Sequence, residues 1–176
     1  LGLGGNAKEY QAMGKSLNRR GYRLEEQIKL FRQLWSRDRV SSSLAEERFE
    51  GVGISPRPNG EAIPIWIGVS PEPPVQALER IGRSADGWFT MCRVDQFESQ
   101  HKVVLESVKR SGRSISDISV EAEVSIANLA SENFISQVKR WQDLGVSHIS
   151  LSTLGLEGDS SSHLKVLARA LELLGK

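Results

Sequence analysis

The chain has 176 residues, 39% of them apolar, with 23 basic and 22 acidic side chains, a net charge of +1 and four tryptophans. Charges of both signs are interspersed, with neither a basic stripe nor an acidic tail, so composition argues against a nucleic-acid partner and against disorder. No apolar run approaches the ~20 residues of a membrane span and no signal peptide opens the chain. A cytoplasmic protein with no membrane partner is the expectation.

The chain opens "LGLGGNAKEY". Gly2, Gly4 and Ala7 match the G-x-G-x-x-A dinucleotide fingerprint, but no strand is visible before them and no strand–helix–strand unit follows within ~30 residues, so the match is weak. The alternative is that Gly2, Gly4 and Gly5 end a strand where a flat ring needs bare backbone. The absence of an initiating Met suggests a chain that starts inside a structural element, as a fragment or processed product would.

"RRGYRLEEQIKLFRQLW", Arg19 to Trp35, predicts a helix whose apolar stripe is Leu24, Ile28, Phe31 and Trp35. Residues 37 to 62 break that pattern with Gly, Pro and Ser and only short strand-like pieces, which predicts a surface insertion or lid. From Ile63 on, four strand–helix units follow one another. The strand "IPIWIGV" leads to a helix from Pro74 to Arg83 with Val75, Leu78 and Ile81 on one side. "DGWFTM" leads to a helix from Gln96 to about Ser111, lined by Phe97, His101, Val104 and Val108, with Asp95 and Glu98 as a capping box and Gly112 as terminator. "ISVEAEVSI" leads to a helix from about Glu132 to Leu144 on Phe134, Val138 and Trp141. "SHISLSTL" leads to a last helix on Leu164, Leu167, Leu171 and Leu174. This succession predicts a parallel α/β sheet, either doubly wound or part of an eight-stranded barrel. A whole barrel takes ~250 residues, so the chain amounts to roughly half of one.

Ligands of both architectures bind at the carboxyl ends of the strands. Those ends are "GLGGN", "GVSPE", "FTMCR", "EVSIAN" and "LSTLGL". In "GVSPE", Gly68 leaves room for close backbone approach, Ser70 is a candidate N-cap and Pro71 a candidate first helical residue. The N–H groups of that helix start would form an anion site, against the plain alternative of a well-capped turn. In "SADGWF", Asp86 reads first as a turn residue at the opposite end of a strand. Arg93, just past a strand end, is either an anion holder or an ordinary surface arginine. His101, His148 and His163 are far apart with no ligand spacing, so no metal site is expected. "GVSPE" is not a nucleophile elbow. Cys92, the single cysteine, sits beside Met91 after an apolar run and reads as a buried, inert thiol. A phosphate-binding isomerase barrel would need a carboxylate or lysine at a strand's upper end, for which Glu123 is the one faint candidate.

Taken in series, "LGLGGNAKEYQAMG", "RRGYRLEEQIKLFRQLW", "RFEG", "SPRP", "PIWIGVS", "SADGWF" and "GVSHISLSTLGL" resemble the luciferase-like monooxygenases, above all the members that use a deazaflavin (coenzyme F-420) or FMN. The resemblance runs over nearly the whole chain and covers the second half of the family's barrel. It implies an α/β fold, a partial (βα)8 TIM-type barrel running from the end of strand four through strands five to eight, with a preceding helix and the insertion at 37–62. By the same resemblance, Gly4, Gly5 and Asn6 would edge the ring pocket. Gly68, Val69 and Ser70 would form the phosphate-side turn, with Val69 adding a Cβ where the family commonly has Gly-Gly-Ser. Ala85, Asp86, Gly87 and Trp88 match its "ADGW" segment, which helps shape the tail site. The implied activity is hydride transfer or oxygen activation on a small organic substrate. The family's acid, base and ring-stacking groups lie mostly on strands one to three, so no catalytic residue is assigned in this chain. The alternative reading is a non-catalytic half-barrel whose open sheet edges lead it to associate with a second copy or a partner.

Overall fold

The computed structural model describes residues 1–44, 47–59, 63–127 and 131–175. A short helix, α1 (Ala7–Ala12), precedes the long α2 (Arg20–Ser36). A hairpin follows, β1 (Val40–Leu44) with β2 (Glu47–Val52), antiparallel with a register irregularity between Val40 and Ser42. The rest alternates: β3 (Trp66–Gly68), α3 (Val75–Ser84), β4 (Gly87–Thr90), α4 (Val94–Arg110), β5 (Ser119–Ser125), α5 (Ser131–Asp143), β6 (His148–Ser152) and α6 (Ser160–Leu173). The insertion expected at 37–62 is therefore built on a hairpin, of which Val40 is buried and the described loop is tied by an Arg57–Asp38 ion pair of 2.7 Å. Residues 45, 46 and 60–62 of it, and Asn128 of the "EVSIAN" strand end, lie outside the described residues.

Strand order decides between the two expected architectures. The four-stranded sheet runs β3-β4-β5-β6, parallel throughout, in chain order with no reversal. A doubly wound sheet reverses its order at a switch point, whereas a barrel adds each strand beside the last. The chain is thus a segment of a TIM-type barrel. One face of the sheet carries Ile65, Ile67, Trp88, Val120, Ala122 and Val124, all buried beneath the helices. The other carries Trp66, Phe89, Glu121, Glu123 and His148, and Phe31 and Trp35 of α2 line an open cleft with Trp66, Phe89, Glu121 and His148. There the Trp66 ring packs tilted at 45° against Phe89, 5.2 Å between centroids, and edge-on against His148 at 5.1 Å.

The helix stripes bury as their spacing requires, with instructive exceptions. Phe97, Val104 and Val108 of α4 are wholly buried, and Phe97 meets Trp88 in a stack and Trp141 of α5 edge-on. Gly82 of α3 lets that helix settle closely on α4, because a Cβ there would lie 2.6 Å from both the Ser107 Cβ and the Val104 carbonyl oxygen. The cap of α4 is not Asp95. Arg93 occupies that position and its N–H donates to the Gln96 side chain, so the bond falls two residues earlier than the expected Asp95–Glu98 pair. In α6 the expected leucine stripe divides. Leu167 and Leu174 pack on the core beside buried Ala170, while Leu164 and Leu171 face outward, 66% and 45% exposed.

The lower end of the sheet is knitted by Asp86. One carboxylate oxygen accepts from the Ile65 N–H at 2.8 Å, the other from Arg32 of α2 at 2.9 Å, and Arg113 approaches to 3.9 Å. Its backbone N–H donates to the Ile65 carbonyl and its carbonyl accepts from Ser119, so one residue spans β3, β4 and β5. Gly87 beside it admits no side chain, because a Cβ would fall 2.1 Å from the Trp66 ring. Asp86→Ala removes the acceptor of a partly buried amide and should lower stability by about 1–3 kcal/mol in urea unfolding; an unchanged midpoint would contradict the clamp.

His101 is packed beside Phe97 and Trp88, and burial pushes its imidazole below the ordinary value of 6.5. The unfolded chain takes up that proton first, so this contribution is complete above about pH 6.5 and is lost as pH falls through that value toward the folded pKa. Stability measured against pH should therefore drop more steeply on the acid side for the native chain than for His101→Gln.

Candidate functional site

The barrel mouth is built by hydrogen bonding between residues distant in sequence. The N-terminal amino group of Leu1 donates to the Trp66 carbonyl, and the Gly68 N–H donates to the Leu1 carbonyl at 2.9 Å. Leu1 thus pairs with β3 as a neighbouring parallel strand would, and the glycine run that follows leaves the sheet at the same level as Gly68. Gly4 turns there with φ +64°, a conformation that favours glycine. The Tyr10 hydroxyl donates to the Leu3 carbonyl and so folds α1 back over the run. Asn6 caps α1, accepting from the Lys8 N–H at 3.0 Å and donating to Glu9 at 2.9 Å.

Between this run, the Gly68 turn, and the starts of α2 and α3 lies an open groove of about 850 Å³. Gly2, Gly4 and Gly5 line one side of it, and Gly68, Val69 and Ser70 the other. A Cβ built on Gly2 or Gly5 would meet nothing within 4 Å, so the space above them is free for a ligand.

The start of α3 differs from the expectation at Ser70. The N-cap is Pro74, with φ −64° and ψ 150°, and Ser70 lies four residues upstream of it. Each residue before a proline is pushed out of the helical region, so Ser70, Glu72 and Pro73 cannot begin the helix. The Pro71 carbonyl instead accepts from Gln100 of α4 at 2.8 Å, which holds the proline turn down. The helix start still reaches the groove, through Pro74, Gln76 and Ala77. The anion-binding end of the helix dipole therefore acts from Val75 onward rather than from Ser70.

Arg19, Arg20 and Arg80 line the groove, and no carboxylate, imidazole or thiol among the described residues does. Arg80 is the fixed member, its side chain 11% exposed and its Nε donating to Glu25 at 3.0 Å. Glu25 also accepts from Arg83 at 2.8 Å. Arg19 stands over the Tyr22 ring, 4.9 Å from its centroid.

Of the residues the resemblance points to, Gly4, Gly5, Gly68, Val69 and Ser70 converge on the groove, and Asn6 stands beside it as a cap. Ala85, Asp86, Gly87 and Trp88 do not line it. Ala85 and Trp88 are wholly buried among the helices, and Asp86 and Gly87 make the lower-end contacts described above. The arginines were not singled out from sequence. The thiol of Cys92 is buried, 2.9 Å from the Thr90 hydroxyl, and burial raises its pKa, which fits the inert role expected of it. Arg93 pairs with Asp95 on the surface at 3.1 Å. No cluster of metal-ligating side chains occurs among the described residues. None of their helices is long and apolar enough to cross a membrane.

Comparison with solved structures gives the same architecture. An F420-dependent secondary alcohol dehydrogenase in complex with an F420-acetone adduct superposes with a TM-score of 0.78 at 13% identity, over 98% of this chain and 68% of that one. A coenzyme F420 dependent tetrahydromethanopterin reductase from Methanopyrus kandleri gives 0.68 at 14% identity, over 99% and 71%. The monooxygenase RslO1 from Streptomyces bottropensis gives 0.59 at 16% identity, over 97% and 47%. The chain thus spans about two thirds of the first two and about half of the third. No curated protein sequence matches it. The family model for luciferase-like monooxygenase matches residues 1–133, which carry the glycine run, the hairpin, the Gly68 turn and three of the four parallel strands. The chain belongs to the luciferase-like monooxygenase family.

Proposed function

We propose that the groove holds the ring and phosphorylated tail of a redox carrier, a deazaflavin (coenzyme F420) or FMN, and that the protein is an oxidoreductase acting on a small organic substrate. The observation that carries this reading is the convergence of Gly2–Gly5 and Gly68–Ser70 on one groove at the carboxyl ends of parallel strands. Two F420-dependent structures share the fold, which supports the choice of carrier. The residues fit such a group: the glycine side lacks side chains where a flat ring would lie, and the walls bring N–H groups and guanidinium groups where a tail would lie. When bound, the cofactor supplies hydride transfer or, as a reduced flavin, oxygen activation.

The chain's own part is binding and orientation. Gly4 and Gly5 admit the ring to backbone distance. The Gly68 N–H is taken by the Leu1 carbonyl, so the N–H groups offered to the tail would come from the turn beyond it and from the start of α3, and Val69 narrows that end with a side chain partly buried against the core. The groove's side chains include no carboxylate, imidazole or thiol among the described residues, and the Tyr22 phenol is the acid–base group they do carry. Following the visible spectrum while titrating F420 and FMN should reveal saturable binding of one of them. Gly5→Val, which fills open space at an exposed position, should weaken that binding at least about tenfold with the fold intact by circular dichroism. Absence of binding by both carriers would contradict the assignment.

A second reading rests on the open face of the sheet. Trp66 and Phe89 line an open cleft there, and Phe89 is 38% exposed. An apolar patch on an open sheet favours self-association, which makes a homo-oligomer the expected form. Sedimentation of the purified chain should show a dimer or larger species that Phe89→Lys shifts toward monomer; a native chain that stays monomeric at high concentration would count against it.

A further inference from the structure

We propose that the outer face of α6 is the contact between two copies of this chain, which pair helix against helix, antiparallel, about a twofold axis near Ala168. The proposal rests on the expectation of self-association and needs neither the cofactor groove nor the open sheet face. α6 is the last element and follows β6, the edge strand of the four-stranded sheet. It is apolar along two stripes. Leu167, Ala170 and Leu174 face the core. Leu164, Ala168 and Leu171, spaced by four and three residues, form a second stripe, and all three are exposed. A surface helix buries one apolar stripe and turns polar residues outward, so a second, exposed stripe marks a contact surface.

Charge selects the partner and its direction. Lys165 and Glu172 each follow one of the exposed leucines by one position, so both lie on the same flank of the stripe. Lys165 makes no ion pair among the described residues. Glu172 gives its Oε2 to Arg169 at 3.0 Å in an exposed pair, and its Oε1 accepts from no described residue. A twofold axis perpendicular to the helix brings equal flanks together, running in opposite directions. Lys165 of one copy then meets Glu172 of the second, and Glu172 of the first meets Lys165 of the second. A parallel pair would set this flank against the core side of the other helix and leave the charges apart. The stripe is thus complementary to itself, which a second copy supplies by symmetry and an unrelated partner only by coincidence. Ala168 is small and central in the stripe, so the helices can approach closely where they cross. A helix of 14 residues is about 21 Å long, and one such pair covers less than the ~800 Å² per partner of a standard interface, so the dimer is a weak one.

Sedimentation of the native chain over a range of concentrations should show a reversible monomer–dimer equilibrium. Ala168→Glu, at an exposed position, sets two like charges against each other at the axis. It should weaken the dimer at least about tenfold, with the fold intact by circular dichroism. Lys165→Glu and Glu172→Lys should each weaken it at least about threefold, since each variant alone faces like with like twice. An equimolar mixture of the two should recover the native affinity, because every pair in the mixed dimer is again of opposite sign. A native chain that stays monomeric up to about 1 mM, a dimer untouched by Ala168→Glu, or a mixture no tighter than either variant alone would overturn the proposal. Loss of the dimer with Phe89→Lys but not with Ala168→Glu would leave self-association to the sheet face and end the α6 assignment. Loss with Ala168→Glu, recovery in the mixture and indifference to Phe89→Lys would establish α6 as the contact and end the sheet-face reading.

Discussion

The groove depends on one pair of backbone hydrogen bonds. Leu1 bridges Trp66 and Gly68, and that short parallel ladder fixes the height at which the opening glycine run leaves the sheet. Without it, Gly2–Gly5 would have no defined position relative to the Gly68 turn, and the bare backbone on the two sides would not face a common space. The rest of the structure holds this arrangement in place. Asp86 ties the lower ends of three strands, Trp66 lies over Gly87, and Gly82 lets α3 settle on α4 so that the helix start meets the groove. Burial under the helices supplies the main driving force, since Trp88, Phe97, Ile81, Val104 and Val108 are all out of water.

The division of labour along each strand follows from barrel geometry. Lower ends carry residues whose contacts are internal, such as Asp86 and Gly87. Upper ends carry residues with open space before them, such as Gly68 and Ser70. In the "ADGW" segment, internal contacts account for each residue type: a buried alanine, a carboxylate accepting two donors, a glycine under an indole and a core tryptophan. The segment supports the mouth from below.

Much of this organisation was legible in the sequence. The spacing of Phe97, Val104 and Val108, or of Phe134, Val138 and Trp141, fixes which helix faces are buried, and four strand–helix units in a row specify a parallel sheet. Periodicity could not choose between a doubly wound sheet and a barrel segment, because that choice lies in strand order. The helix expected from Pro74 to Arg83 matches α3, but its cap is not Ser70: Ser70-Pro71 looks like a helix start, while the run Glu72-Pro73-Pro74 removes helical conformations one residue after another. The leucines of α6 share a stripe in sequence, but only Leu167 and Leu174 find a surface to pack on. The arginine wall escaped notice for a different reason. Arg80 reads as an ordinary exposed helix residue until Glu25 and Gly21, more than fifty positions away, are seen to hold it.

The central claim is that the opening glycines and the Gly68 turn belong to one mouth, joined through the Leu1 ladder. Amide hydrogen exchange of the native chain, read at Gly68 together with nuclear Overhauser contacts between Leu1 and residues 66–68, tests it most directly. The account predicts a Gly68 amide protected to the level of the β4 and β5 amides, with clear Leu1 contacts. A Gly68 amide exchanging as fast as an unstructured one, with no contact to Leu1, would contradict it.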